Sequence, residues 1–223
     1  MPPLKVAVIG LGRFGRALVE GLEEVGVEVL AIDSDMDNVE SIKDTATSAV
    51  RMDASDVRSL RANDLDQMDV VVVAIGEQFE AAMLTVQELI SMGITNVYAR
   101  AISPTHRRIL ERMSIAGVVS PTEEAGRRFA RRLAHPGLLD YIELSEDYEI
   151  AEVTTPPKLT GHTLGTLALV KRYNVTVVTI RRPGERKSTI IGTPTADTEV
   201  REDDVLILAG RREDIQRLIA NNT

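Results

Sequence analysis

The chain has 223 residues, 43% hydrophobic and 27% charged, with a formal net charge of -8, a composition typical of a globular protein with room for one large domain or two modest ones. It has no cysteine, which excludes disulfides and thiolate metal sites. Its acidity argues against a nucleic-acid partner, and no apolar run approaches the roughly 18 residues needed to span a bilayer. The opening Met1–Lys5 lacks the apolar stretch of a signal peptide. The expectation is therefore a cytoplasmic protein whose membrane connection, if any, comes through a partner. Aromatic residues make up only 3% and tryptophan is absent, so the core must be built from Val, Ile, Leu and Ala, which suits helices packed on a parallel sheet.

The first elements alternate strand and helix. Lys5–Ile9 is a continuous apolar run ending at Gly10 and reads as a buried strand. Arg13–Val25 places Phe14, Leu18, Leu22 and Val25 on one helical face and stops at Gly26. Glu28–Ile32 reads as a strand, Met36–Asp44 as a helix, Ala49–Met52 as a strand and Val57–Ala62 as a short helix. Val70–Ile75 is a strand closed by Gly76, followed by a helix over Phe79–Met92, a strand at Asn96–Ala101, a helix over Thr105–Met113 and a short sixth strand at Val118–Val119. After about residue 120 the pattern changes. Thr122–Leu133 is a helix with acids first and Arg127, Arg128, Arg131 and Arg132 later, an order that complements the helix dipole. His135-Pro136-Gly137 breaks it. Strands at Leu139–Leu144, Glu149–Thr155, Val175–Ile180, Thr189–Ile191 and Val205–Ala209 follow, with helices at Thr163–Arg172 and Arg212–Ile219.

The expected fold class is α/β: a Rossmann, doubly wound parallel sheet over residues 1–120, a crossover helix and linker over 121–137, and a small α+β domain over 138–223. Right-handed crossovers bring every strand's C-terminal end to one edge. Gly10, Asp33, Asp53, Gly76 and Arg100 then line one crevice although they are far apart in sequence.

Gly10-Leu11-Gly12-Arg13-Phe14-Gly15 carries the chemistry. A lone G-x-G-x-x-G is a weak signal, but here a strand precedes it, a helix follows it, and Asp33 closes the next strand. Gly10 permits the tight turn, Gly12 lets a pyrophosphate approach the backbone, and Gly15 lets the helix pack close to the strand. The helix N-terminus offers unpaired N–H groups to phosphate. Asp33 can accept both ribose hydroxyls and disfavours a 2′-phosphate. Arg13 sits where its guanidinium can reach a terminal phosphate. Asp33 does not separate NAD from ATP or ADP, which share the adenosine. His106, His135 and His162 lack metal-ligand spacing, and neither G-x-S-x-G nor a P-loop is present. The reading is a binding module; a small NAD-dependent oxidoreductase and an NAD(H)-sensing DNA-binding regulator are the alternatives.

The sequence resembles the cytoplasmic RCK (KTN) regulatory subunits of potassium channels and transporters, of the KtrA/TrkA type. The resemblance rests on Val8–Gly15, Ala31-Ile32-Asp33, Val73-Ala74-Ile75-Gly76, Ser120–Glu124 and the run from Leu159 to Ile219 with its ending Glu202–Gly210. It implies a homo-oligomer, from dimer to octameric ring, beneath an integral-membrane potassium channel or transporter, with ATP and ADP competing for the crevice and NAD(H) as a further occupant. Position by position it implies contacts from the turn Gly10–Gly15 with Arg13 at the terminal phosphate; from Asp33, Ser34 and Asp35 at the ribose; from Met52, Asp53 and Ala54 on the adenine side; and from Ile75, Gly76, Glu77, Arg100 and His106. Two departures stand out. Some members carry Glu directly after the proline that opens the crossover helix and bind a divalent cation with it; here that position is Thr122, followed by Glu123 and Glu124. Some bind cyclic di-AMP through an arginine three residues before a tyrosine; here Val170 precedes Tyr173.

Overall fold

A computed structural model describes residues 3–184 and 188–223. The chain divides into two compact units, one ending at Ala125 and the other beginning at Gly126.

The first unit contains a six-stranded sheet of β1 (Lys5–Ile9), β2 (Glu28–Asp33), β3 (Ser48–Arg51), β4 (Val70–Val73), β5 (Val97–Arg100) and β6 (Gly117–Val119). The order is β3-β2-β1-β4-β5-β6 and every pairing is parallel. The helices are α1 (Arg13–Glu24), α2 (Met36–Glu40), α3 (Val57–Ala62), α4 (Phe79–Ser91) and α5 (Pro104–Leu110). Alternate residues of β1 serve opposite faces, as the strand period of two requires. Ala7 and Ile9 join Leu60, Val86 and Leu89 in one apolar layer. Val6 and Val8 join Leu11, Val19 and Ile42 in the other. Burial on both faces explains why β1 and β4 read as unbroken apolar runs.

Two predicted helices are altered. The helix expected over Met36–Asp44 ends at Glu40. The Ser41 hydroxyl donates to the Asn38 carbonyl (2.7 Å), a local bond that competes with helix continuation, and the following turn buries Ile42 at 1% exposure. The helix expected over Thr163–Arg172 is two short ones, α7 (Leu164–Leu167) and α8 (Leu169–Tyr173), after α6 (Pro121–Ala134). Ala168 between them takes the left-handed conformation, φ 46°. That break lets Leu167, Leu169 and Tyr173 all reach the core, which one straight helix would not permit given its 3.6-residue period. Among the described residues no helix is long and apolar enough to cross a membrane.

The second unit is built on an antiparallel sheet of β7 (Leu138–Glu143), β8 (Tyr148–Thr154), β9 (Thr176–Arg182), β10 (Thr189–Ile191) and β11 (Val205–Arg211), in the order β10-β9-β11-β8-β7, and closes with α9 (Arg212–Asn222). Its core includes Val153, Ile180, Leu206, Leu208 and Leu218. A buried carboxylate anchors it. Asp204 is 1% exposed and accepts from Arg182 Nε and Nη2 (both 2.7 Å) and from the Arg201 N–H (2.9 Å). Burial alone would raise the Asp204 pKa, but these bonds outweigh it and hold the group below its ordinary value. A depressed carboxylate pKa contributes stability that is fully present above the unfolded-state value and is lost as the pH falls through the folded value. Arg182→Met should therefore destabilise the second unit by about 3–5 kcal/mol at pH 7, because it strands a buried charge. Urea unfolding should also show the difference from wild type shrinking below about pH 4.

Candidate functional site

The C-terminal ends of the parallel strands open onto a cavity of about 570 Å³. Its lining includes Gly10, Gly12 and Arg13 from the turn after β1, Asp33 and Ser34 after β2, Met52, Asp53 and Ala54 after β3, Ile75, Gly76 and Glu77 after β4, and Arg100 at the end of β5. The strand order turns outward in both directions from β1 and β4, and such switch points are where open α/β sheets bind ligands.

The glycine turn follows from close packing. A Cβ on Gly15 would stand 1.9 Å from the Gly10 carbonyl oxygen, and one on Gly10, whose φ is +98°, would stand 2.8 Å from the Ile75 nitrogen. With both side chains absent, α1 begins at the sheet edge. Gly12 caps it without any side-chain bond, and the first intrahelical N–H bond is that of Arg16 to the Gly12 carbonyl (3.0 Å). The first N–H groups of α1 thus have no partner within the helix, the arrangement that receives an anion.

Asp33 is fixed from two sides. Its Oδ2 accepts from the Leu11 N–H (2.6 Å) and its Oδ1 from the Asp35 N–H (2.8 Å). Each oxygen keeps lone-pair capacity for a hydroxyl donor. Asp53 accepts from the Ser55 hydroxyl (2.7 Å) and N–H (2.9 Å), and these bonds, the hydroxyl's first, hold its pKa below the ordinary value. Arg100 lies across the sheet. Its guanidinium carbon is 5.6 Å from the centre of the Phe14 ring, and its buried Nε has no hydrogen-bond partner. Arg13 is exposed on the rim. The cavity is therefore polarised along the strand order. Asp33 ends β2, Asp53 follows β3 beside it, Arg100 ends β5, and the glycine turn lies between. Asp33 and Arg100 are three strand spacings apart, about 14 Å.

Five of the expected residues do not line this cavity. Leu11 is fully buried, and its N–H is committed to Asp33. Phe14 packs partly against the core layer that contains Leu11 and Val19, and Gly15 meets Gly10. The Asp35 side chain caps α2 by accepting from the Asp37 N–H (2.9 Å). His106 stacks on Phe79 with ring centres 3.8 Å apart. The cavity also takes in Asn38, Ser55, Gln78 and Thr85, which the sequence reading did not name. Asn38 lies one turn into α2 and accepts from Arg16 Nη1 (3.3 Å); its place on the helix that starts beside Asp33 was the available signal.

Thr122 stands where the resemblance expects a carboxylate. Glu124 accepts from the Ser120 N–H (3.2 Å) and lies 3.6 Å from Arg107. Among the described residues no group of three or more His, Cys, Asp or Glu is placed to hold a metal.

Residues 6–121 match the TrkA-N domain and residues 148–222 the TrkA-C domain. Potassium uptake protein C of the Ktr system of Bacillus subtilis is 35% identical over 95% of this chain and 94% of its own length. The chain belongs to the TrkA family. Within that family, protein A of the same Ktr system in Bacillus subtilis is 32% identical over 95% of this chain and 93% of its own. The GsuK RCK domain shares the fold with a TM-score of 0.69 at 18% identity, over 99% of this chain and 48% of that one, so the chain spans about half of the solved protein. Further GsuK structures are of the channel bound to NAD (TM-score 0.59, 18% identity, 95% and 38% of the two chains) and of GsuK bound to ADP (0.52, 16%, 58% and 34%).

Two glycines of this TrkA-family unit, Gly15 behind the cavity and Gly76 in its lining, should respond differently to a single methyl group. Gly15→Ala meets an immovable backbone oxygen and should cost at least about 3 kcal/mol. In Gly76→Ala the new Cβ would stand 2.8 Å from Arg100 Nη1, the movable end of a side chain, so the stability change should stay within about 1 kcal/mol while Arg100 is displaced. Chemical denaturation of both variants checks the contrast.

Proposed function

We propose that the chain is a nucleotide-sensing regulatory subunit of a potassium uptake system, working at the inner face of the cell membrane on an integral-membrane partner and performing no catalysis itself. The observation that carries this reading is the polarity of the cavity, with carboxylates on the β2–β3 side and the open helix end and two arginines beyond it. A ligand that suits it has hydroxyls at one end and phosphates at the other. ATP and ADP have that form, and NAD(H) carries the same adenosine diphosphate. The Ktr relatives support the potassium role, and the NAD- and ADP-bound GsuK structures support the ligand class.

In this reading Asp33, with Ser34 beside it, takes the ribose hydroxyls, and the Asp53 segment lies on the adenine side. The α1 N-terminus takes the phosphates shared by ATP and ADP. Shared contacts cannot move an equilibrium, because only differential affinity shifts populations. Discrimination falls to Arg13, the exposed rim cation, reading the third phosphate. Thr122 stands where the resemblance puts a cation-binding carboxylate, so Thr122 itself offers no carboxylate to a metal beside the phosphates. Assembly into a dimer or an octameric ring is supported by α6, which has no buried residue and exposes Phe129 and Leu133 at 59% and 67%. Apolar surface of that kind marks subunit contacts.

Isothermal titration tests the reading. Wild type should bind ATP and ADP, and Asp33→Ala should weaken both by about ten- to hundredfold, the loss expected for hydrogen bonds to a charged group. Arg13→Ala should weaken ATP more than ADP. Equal losses would remove Arg13 from discrimination, and absence of binding by either nucleotide would overturn the ligand assignment.

A further inference from the structure

The second unit holds a cavity of its own, about 460 Å³ in volume, that the nucleotide reading leaves unused. Four short segments surround it: the 3-10 turn Pro157–Leu159 with His162 just beyond it, then α7, α8 and the last turn of α9. Its floor is buried. Leu159 and Leu167 are 1% and 4% exposed, and Tyr173 and Asn222 are 7% and 6%. Its rim is cationic and exposed, formed by Lys158, His162 and Arg172. No Asp or Glu is among the described lining residues, although acids outnumber bases by eight in the whole chain.

The polar groups of the floor are oriented. The Asn222 amide nitrogen donates to the Tyr173 hydroxyl (3.0 Å) and to the Leu218 carbonyl (2.7 Å). The Tyr173 oxygen is thereby used as an acceptor, and its own proton remains to be donated. Lys158 Nζ donates to the Asn221 carbonyl (3.3 Å) at the end of α9, one of the terminal carbonyls that a helix cannot satisfy itself. That bond keeps the ammonium at the rim while leaving it two further protons. The Arg172 guanidinium carbon stands 5.6 Å from the centre of the Tyr173 ring, which steers it over the same floor. The cavity thus presents a tyrosine hydroxyl proton, an ammonium, a guanidinium and an imidazole, with no Asp or Glu side chain among its described lining residues.

We infer that this cavity is a second ligand site, for a small phosphate-bearing anion. Its donors are full charges around a buried hydroxyl, the arrangement that gives charge-assisted hydrogen bonds to phosphate oxygens. The site is independent of the nucleotide reading. It shares no residue with the cavity of the first unit, and Val170, where the resemblance would put an arginine for a cyclic dinucleotide, does not line it.

Inorganic pyrophosphate is the probe. The full chain has three histidines, so the Cε1–H resonances of His106, His135 and His162 can each be assigned by a single His→Gln variant. At fixed pH the His162 resonance should shift saturably with pyrophosphate. In K158Q/R172Q the same shift should require at least about tenfold more pyrophosphate, and Y173F, which removes only the hydroxyl, should require several-fold more. His135, whose Nε2 is 2.9 Å from Gln216 Nε2 on α9, should keep its position in the variants and so reports that the unit is folded. Should the double variant lose that signal, K158Q and R172Q singly carry the same test. A His162 resonance that never shifts, or that titrates identically in wild type and the folded variants, would overturn the site. Pyrophosphate bound at the first cavity would move resonances near β1 and α1 in all variants alike and leaves the His162 comparison intact.

Discussion

The contact between Gly10 and Gly15 is the constraint from which the rest of the first unit follows. The space between the Gly10 carbonyl and the Gly15 Cα is too small for even one methyl group. Because Gly15 lacks a side chain, α1 can start directly at the end of β1, and because Gly10 lacks one, the turn can lie against the Ile75 backbone. Asp33 reinforces the same joint. Its bond from the Leu11 N–H ties the turn after β1 to the end of β2, so the carboxylate and the helix end are held in one fixed relation. A cavity that recognises a hydroxyl-bearing group and an anion at a set separation needs such a relation. Preorganised donors and acceptors also spare a ligand the cost of ordering them.

The second unit solves its stability problem differently. It is a small antiparallel sheet with few aromatic residues, and it retains charges in its interior. Besides Asp204, Glu149 is 1% exposed and accepts from the single Arg131 Nη2 at both its oxygens (2.5 and 2.6 Å) and from Arg212 Nε (3.4 Å). Arg131 also lies 3.8 Å from the centre of the Tyr141 ring. Buried pairs of this kind add little net stability over an apolar core, but losing one partner is costly. They therefore fix which strands and helices meet more than how tightly they hold.

The parallel sheet was legible in the sequence because burial on both faces turns its strands into apolar runs bounded by glycine, at Lys5–Ile9 and Val70–Ile75. The turn from Gly10 to Gly15 and the acid Asp33 were legible because a single local motif encodes them. Gly76, Asp53 and Arg100 were found by topology, since each follows a strand of the same sheet. Asn38, Ser55, Gln78 and Thr85 were not found, because their place in the cavity depends on how α2, α4 and the loop after β3 fold back, which no local pattern specifies. Leu11, Phe14, Gly15, Asp35 and His106 stand beside the cavity without lining it. Their packing, capping and stacking contacts require three-dimensional neighbours to recognise. The break at Ala168 was equally hidden: alanine favours helix by propensity, and only the need to bury residues on both sides of it forces the left-handed turn.

In the proposed function the first cavity receives an adenine nucleotide and is held in shape by the Gly10–Gly15 contact and the Leu11–Asp33 bond. A crystal structure of the chain with ADP tests it most directly. The account predicts both ribose hydroxyls within hydrogen-bond distance of the Asp33 carboxylate and the terminal phosphate against the first N–H groups of α1. A nucleotide bound with its phosphates toward Asp33, or bound elsewhere while this cavity stays empty, would contradict it.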